Sequence, residues 1–273
     1  MSENPFDLAR RAADELRQRS GVDRYDLAVV LGSGWKQGAV ALGEPTSDLA
    51  TTDLPGFAAS TVPGHGSRLQ TLRVGDCTVA LLTGRVHLYE GHSPAAVVHP
   101  IRTLIEAGAS RVVLTNAAGG IDPTIAPGSV VVIRDHLNMT GTSPLEGPNP
   151  PEGYGSRFVD LSDAYSARLR ALVASTVPGL PEGVYGGFRG PQYETHAEIA
   201  MIRTLGATLV SMSTVLETIA ARHLGAEVLG LSLVSNFAVG IAPGPLNHQE
   251  VLETGQNAAG ALGDLLGRIL PVL

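Results

Sequence analysis

Cys77-Thr78-Val79-Ala80-Leu81-Leu82, followed at once by Thr83-Gly84-Arg85-Val86-His87-Leu88-Tyr89-Glu90-Gly91, decides how this chain is read. The first part is apolar and β-branched and reads as a buried strand. The second brings together a guanidinium, an imidazole, a phenol and a carboxylate. If the strand continues, Arg85, His87 and Tyr89 share one face, because side chains alternate along a strand. A planar guanidinium suits a multi-oxygen anion, and a histidine beside it adds a donor. At a strand's end, that combination points to phosphate. The alternative is Arg85 paired with Glu90 in a solvated loop, and this stretch alone does not separate the two.

The same pattern of apolar run, short polar or glycine end, then helix recurs on either side. Asp26–Leu31 reads as a strand running into Gly32-Ser33-Gly34, where backbone N–H groups and a hydroxyl can converge on phosphate. Neither G-x-G-x-x-G nor the lysine P-loop is completed there, so a plain turn is the alternative. Leu69–Val74 and Cys77–Leu82 form a hairpin through Gly75-Asp76. Arg111–Thr115 is a strand ending in a small-residue turn, Asn116-Ala117-Ala118-Gly119-Gly120, which lets a ligand approach the backbone. Val130–Ile133, Ala207–Ser211 and Val228–Val234 are further strands, the last delivering Ser235-Asn236-Phe237. Helices are expected over 5–19, 95–107, 162–175, 196–205 and 215–224, with a terminal helix from Asn247-His248. Ser213 or Thr214 suits the cap of the helix at 215, with Glu217 near the capping-box position. A helix N-terminus is also an anion site. Residues 45–68 read as a long loop carrying His65 and Arg68, and 140–160 as a second with Arg157 and Phe158. Tyr193-Glu194 sets an aromatic beside a carboxylate ahead of a helix. The whole implies one α/β domain over 1–273, a sheet flanked by helices with ligand groups gathered at strand ends.

Composition narrows the function. With 44% hydrophobic and 16% charged residues among 273, the chain can bury a large core. A net charge of −7 argues against nucleic acid or an anionic membrane as partner, so any phosphate must be held by a local cluster. A single cysteine rules out an internal disulfide and fits a reducing cytosol. The start lacks a signal-peptide pattern, and no apolar run approaches the ~20 residues of a membrane span. A soluble, cytoplasmic protein is expected. No metal site is expected, since the histidines lack H-E-x-x-H or paired-cysteine spacing. There is no Gly-x-Ser-x-Gly elbow, and Cys77 lies inside a strand. What remains is an anion cluster, a Tyr-Glu pair and the Asn236 amide, which suit phosphate, a planar ring and an amide-type recognition edge.

Leu31-Gly32-Ser33-Gly34, Val62-Pro63-Gly64-His65, Gly84 to Gly91, Thr115 to Gly120, Gly190-Pro191-Gln192-Tyr193-Glu194-Thr195, Met212-Ser213-Thr214-Val215 and Asn247-His248 follow one another along the chain. Blocks of this kind in this order, from about residue 27 to 255, resemble the trimeric purine nucleoside phosphorylases. The resemblance implies a mixed, partly barrel-like central sheet and no cofactor, inorganic phosphate being a co-substrate of the purine nucleoside. It implies that Ser33, Arg85, His87, Ser213 and the N–H of Ala117 hold phosphate, with His65 on a closing loop. Tyr89, Met212 and His248 correspond to ribose contacts. Ala118, Tyr193, Glu194, Val210 and Asn236 correspond to base contacts, with His87, Glu194 and Asn236 as the catalytic groups. Phe158 matches an aromatic that reaches the neighbouring subunit's ribose site, which implies a homotrimer. Methylthioadenosine phosphorylases are expected to carry an acidic residue where Asn236 stands, so Asn236 points to 6-oxopurines such as inosine and guanosine. Ser211, Leu216 and Trp35 depart from the family pattern, the first standing where many relatives have glycine.

Overall fold

The computed structural model describes residues 4–59, 68–147, 149–242 and 248–273, with the backbone alone at 248–250. Its strands are β1 (Leu27–Val30), β2 (Ser47–Ala50), β3 (Arg68–Val74), β4 (Cys77–Leu82), β5 (Arg111–Gly120), β6 (Val130–Asn138), β7 (Glu182–Gly187), β8 (Leu209–Ser211) and β9 (Glu227–Phe237). The helices are α1 (Pro5–Ser20), α2 (Lys36–Ala39), α3 (Pro94–Glu106), α4 (Ala167–Thr176), α5 (His196–Thr204), α6 (Val215–His223) and α7 (His248–Ile269). All strands join one sheet in the order β2-β3-β4-β1-β5-β8-β7-β6-β9, and β9 pairs back onto β5. Five strands, β5, β8, β7, β6 and β9, therefore close into a partial barrel, while β2, β3, β4 and β1 extend from it as an open wing. Parallel and antiparallel pairings are mixed: β5 runs parallel to β9 but antiparallel to β8.

Burial on both faces explains why the central strands are apolar throughout rather than alternating. On β1, Ala28 and Val30 enter a core shared with α1, α3 and α6, while Leu27 and Val29 enter a second core shared with α7. Helix α1 begins at Pro5 after Asn4, whose side chain accepts from the Phe6 N–H at 2.9 Å; it buries Ala9, Ala12, Ala13 and Leu16, the last two in the first core. Among the described residues, no helix is long and apolar enough to cross a membrane.

The structure corrects several expectations. The strand from Cys77 stops at Leu82, and Leu88–Glu90 forms a 3-10 turn instead of continuing it. The Glu90 carboxylate accepts from the His87 N–H, which closes the chain into that turn. Arg85 pairs with Glu217 and not with Glu90. Ser47–Ala50, read as loop, is a polar edge strand whose only strand signal is its partner β3. Asn116 to Gly120 are not a turn, because β9 pairs with them along one edge and β8 takes up the last two on the other. Strand β7, Glu182–Gly187, was not foreseen: its three glycines carry little propensity, and it is fixed by neighbours on both sides and by the fully buried Tyr185. Helix α4 starts at Ala167, not near 162, where Ser166 caps the Leu169 N–H at 3.3 Å.

Candidate active site

The site follows from a gap in the sheet. Strand β9 accompanies β5 from Arg111 to Gly120, so β1 and β8 must share the other edge. On that edge β1 ends at Leu114 and β8 begins at Gly119, leaving residues 115–118 without a strand partner. Two side chains take carbonyls that no strand pairs on this edge: Arg85 Nη1 donates to Thr115 O and Ser211 Oγ to Ala117 O, each at 2.7 Å. Parting strands at their carboxyl ends form a crevice of the kind α/β sheets use for ligands. Here it is a cleft that opens to solvent and is lined from several separate elements of the chain. The chain after β1 closes one wall, with the Gly32 N–H donating to Thr115 Oγ1 at 3.0 Å. Glycine is required there, because a Cβ would lie 2.5 Å from Thr115 O and 2.7 Å from Asn116 Cα.

Into this one cleft the fold brings the residues expected to hold phosphate, Ser33, Arg85, His87, Ala117 and Ser213. Tyr89 and Met212 line it as well, as do Ala118, Tyr193, Glu194, Val210 and Asn236. His65 lies outside the described residues; His248 opens α7, and its side chain lies outside them too. Phe158 does not line the cleft of its own chain and is 88% exposed. Sequence reasoning missed Asn116, Ser211, Ser235, Ala238 and Val251 as lining residues. Asn116 had a signal, an amide inside a run of small residues at a strand's end. Its Nδ2 donates to Thr214 Oγ1 at 2.9 Å and its Oδ1 accepts from Ser232 Oγ at 2.7 Å, tying β5 to β9 and to the 212–214 turn. Trp35 is fully buried and donates its indole N–H to Asn116 O at 2.8 Å, and Leu216 is a core residue, so neither departure enters the cleft.

Arg85 is held from behind. Its Nε donates to Glu217 Oε1 at 3.1 Å, with both side chains buried, and Nη1 lies 3.5 Å from Ser213 Oγ. The other oxygen of Glu217 accepts from the Thr214 N–H at 3.0 Å, so one carboxylate in the first turn of α6 orients the guanidinium and caps its own helix. Thr214 has φ +72°, the only positive φ outside glycine among the described residues. Such strain persists where surrounding structure over-determines it. Here the fully buried Tyr185 contributes: its hydroxyl donates to Ser213 O at 3.1 Å and accepts from the Ser213 N–H at 3.3 Å.

His87 stacks on Tyr89 with ring centroids 4.6 Å apart, and its Nδ1 lies 2.9 Å from Glu90 Oε1. Nδ1 is thus committed to the carboxylate, which leaves Nε2 as the other polar atom of the ring. Burial lowers the His87 pKa against the pull of Glu90. Burial pushes the Tyr89 phenol up to about 12, so it remains a neutral donor. Glu194 is 8% exposed; burial raises its pKa, and Oε1 has no hydrogen-bond partner among the described residues. A buried acceptor left unmatched is costly, and a ligand donor in the cleft would satisfy it. Asn236 is pinned by its neighbours: Oδ1 accepts from Ser235 Oγ at 2.8 Å and Nδ2 donates to Phe237 O at 2.9 Å. That network fixes which way the amide faces and leaves one Nδ2 proton for a ligand.

The phosphorylase superfamily pattern matches residues 26–271. The purine nucleoside phosphorylase of Mycobacterium tuberculosis is 52% identical over 98% of this chain and 97% of its own length. That of a Cellulomonas species is 50% identical over 97% of this chain and 93% of its own. The chain belongs to the purine nucleoside phosphorylase family. A Schistosoma purine nucleoside phosphorylase in complex with hypoxanthine superposes with a TM-score of 0.90 at 31% identity, covering 100% of this chain and 99% of that one. The Schistosoma mansoni enzyme in complex with adenosine gives 0.88 at 32% identity over 97% and 96% of the two chains. As a member of this family the protein is a pentosyltransferase, and its cleft is the place to look for that chemistry.

Proposed function

We propose that this enzyme catalyses the reversible phosphorolysis of 6-oxopurine nucleosides, inosine and guanosine and their deoxy forms, to free base and pentose 1-phosphate in purine salvage. The observation that carries the choice of base is the orphaned Oε1 of Glu194 in the same cleft as the Asn236 amide. A 6-oxopurine presents a donor at N1 and acceptors at O6 and N7. A carboxylate matches the first and an amide N–H the others. A 6-aminopurine presents an acceptor at N1, which a carboxylate repels.

Arg85, His87, Ser33, Ser213 and the Ala117 N–H hold phosphate, which is a co-substrate and needs no cofactor beside it. A phosphate oxygen forms the new bond to C1′ as the C1′–N9 bond breaks, and the purine leaves with the bonding electrons. The transition state has oxocarbenium character, by analogy with glycoside cleavage. The enzyme's contribution is positioning and electrostatics. Asn236 donating to N7 meets negative charge that is larger in the transition state than in the ground state. Tyr89, Met212 and His248 contact the ribose, His65 closes over phosphate, and Phe158 completes the site of a neighbouring copy in a homotrimer. Release of hypoxanthine, guanine and adenine from their nucleosides, with and without inorganic phosphate, tests the proposal. Phosphate-dependent release of the two oxopurines well ahead of adenine is expected. Phosphate-independent release, or adenosine as the preferred substrate, would overturn it.

A further inference from the structure

We propose that Ser211 is a positioning residue for phosphate, acting through the backbone of Ala117. Its hydroxyl donates to Ala117 O at 2.7 Å. The last backbone pair between β5 and β8 is Gly119 with Val210, so this side chain takes the place of the next contact along the same edge. In an extended strand the N–H and C=O of one residue point to the same edge. Holding the Ala117 carbonyl toward β8 therefore holds the Ala117 N–H toward the unpaired gap of residues 115–118, which the Arg85 guanidinium also enters at Thr115 O.

That N–H needs an external constraint, because the β5–β9 register shifts between Ala118 and Gly119 and the second edge has no strand at this point. The Ser211 carbonyl is itself fixed by the Phe188 N–H at 2.8 Å, so the hydroxyl is delivered from a rigid strand. A donor fixed before phosphate arrives does not have to be ordered on binding. The inference rests on the reading that the Ala117 N–H is a phosphate ligand.

The test is the KM for phosphate measured separately from the KM for inosine and from kcat, in Ser211→Ala, Ser211→Gly and Ser211→Thr. Loss of one hydrogen bond of ordinary strength predicts about a threefold to tenfold rise in phosphate KM for the Ala and Gly variants. The inosine KM should stay within twofold of wild type, and Ser211→Thr, which keeps the hydroxyl, should restore the phosphate KM. Unchanged phosphate KM in Ser211→Ala and Ser211→Gly, with a wild-type enzyme that is clearly phosphorolytic, overturns the role of Ser211 alone. Equal rises in both KM values with a lowered Tm overturn it as well, in favour of a merely structural bond. Turnover that needs no phosphate would instead sink the functional reading beneath it.

Discussion

In the proposed reading one buried group, Glu194, governs both selectivity and stability. Burial raises its pKa, so it takes up a proton at a higher pH than an ordinary glutamate. The carboxylate accepts from a 6-oxopurine N1–H, whereas the protonated acid can donate to the N1 of a 6-aminopurine. Lowering the pH should therefore reduce kcat/KM for inosine and raise the adenosine-to-inosine ratio together, as measured by base release across a pH series. A constant ratio would remove Glu194 from base recognition. The stability sign follows from the same shift: a folded-state pKa above the unfolded value favours the folded state below the unfolded pKa and loses that benefit as pH rises through the folded one. At pH 8 the charged side chain is thus a burden, and Glu194→Gln should unfold at a Tm equal to or above wild type while losing more than tenfold in inosine turnover. Asn236→Ala tests the leaving-group contact: loss of a transition-state donor costs about 2.7–4 kcal/mol in comparable sites, and at least a tenfold fall in kcat with intact folding is expected. Glu194 was legible in the sequence because charged and aromatic groups are scarce, 16% and 4%, so its place beside Tyr193 ahead of a helix stood out, and Asn236 because a strongly apolar strand runs straight into it. What Ser211 and Asn116 do was not, although both positions stood out, since their work lies in hydrogen bonds to partners nearly a hundred positions away in the chain.

At the scale of elements, α6 organises the arginine end of the cleft. Its first-turn Glu217 holds Arg85 and caps Thr214, so a residue readable only as a helix cap also orients the principal cation. Removing one partner of a buried ion pair strands the other, at about 3–5 kcal/mol. Glu217→Ala should show that loss in urea unfolding, and its phosphate KM should rise because Arg85 is released. Replacing both, Arg85→Met with Glu217→Met, should recover most of the stability while leaving phosphate binding abolished, as a buried pair exchanged for apolar groups is often neutral. If the double variant is no more stable than Glu217→Ala, the pair is not what α6 contributes. The strands with strong apolar runs, β1, β4 and β9, were visible in the sequence because burial on both faces writes itself into composition. Strands β2 and β7 and the far half of β5 were hidden, because polar edge residues and glycines become strand only when their neighbours are already in place.

At the scale of the molecule, closure of the barrel brings Glu227–Phe237 beside Arg111–Gly120, a long-range pairing that no local pattern announces. Its consequence is that Asn236, Ala117 and Ser213 meet although they come from distant parts of the chain. The same geometry leaves Phe158 88% exposed and away from the cleft of its own chain. A large apolar side chain so exposed suits an interface, and in the proposed trimer the Phe158 of one copy covers the ribose region of the next. Complementation distinguishes this from a role within one chain. Phe158→Ala subunits keep a complete set of catalytic groups but fail to cover a neighbour, whereas Glu194→Gln subunits have a defective cleft but an intact Phe158. Mixed and reassembled, the two should give activity above the weighted mean of the separate variants, because some Phe158→Ala clefts then sit beside a copy that supplies the ring. A Phe158 acting on its own cleft predicts the weighted mean and nothing more. A raised nucleoside KM with unchanged phosphate KM in Phe158→Ala alone should accompany the gain, since the ring meets the sugar and not the anion.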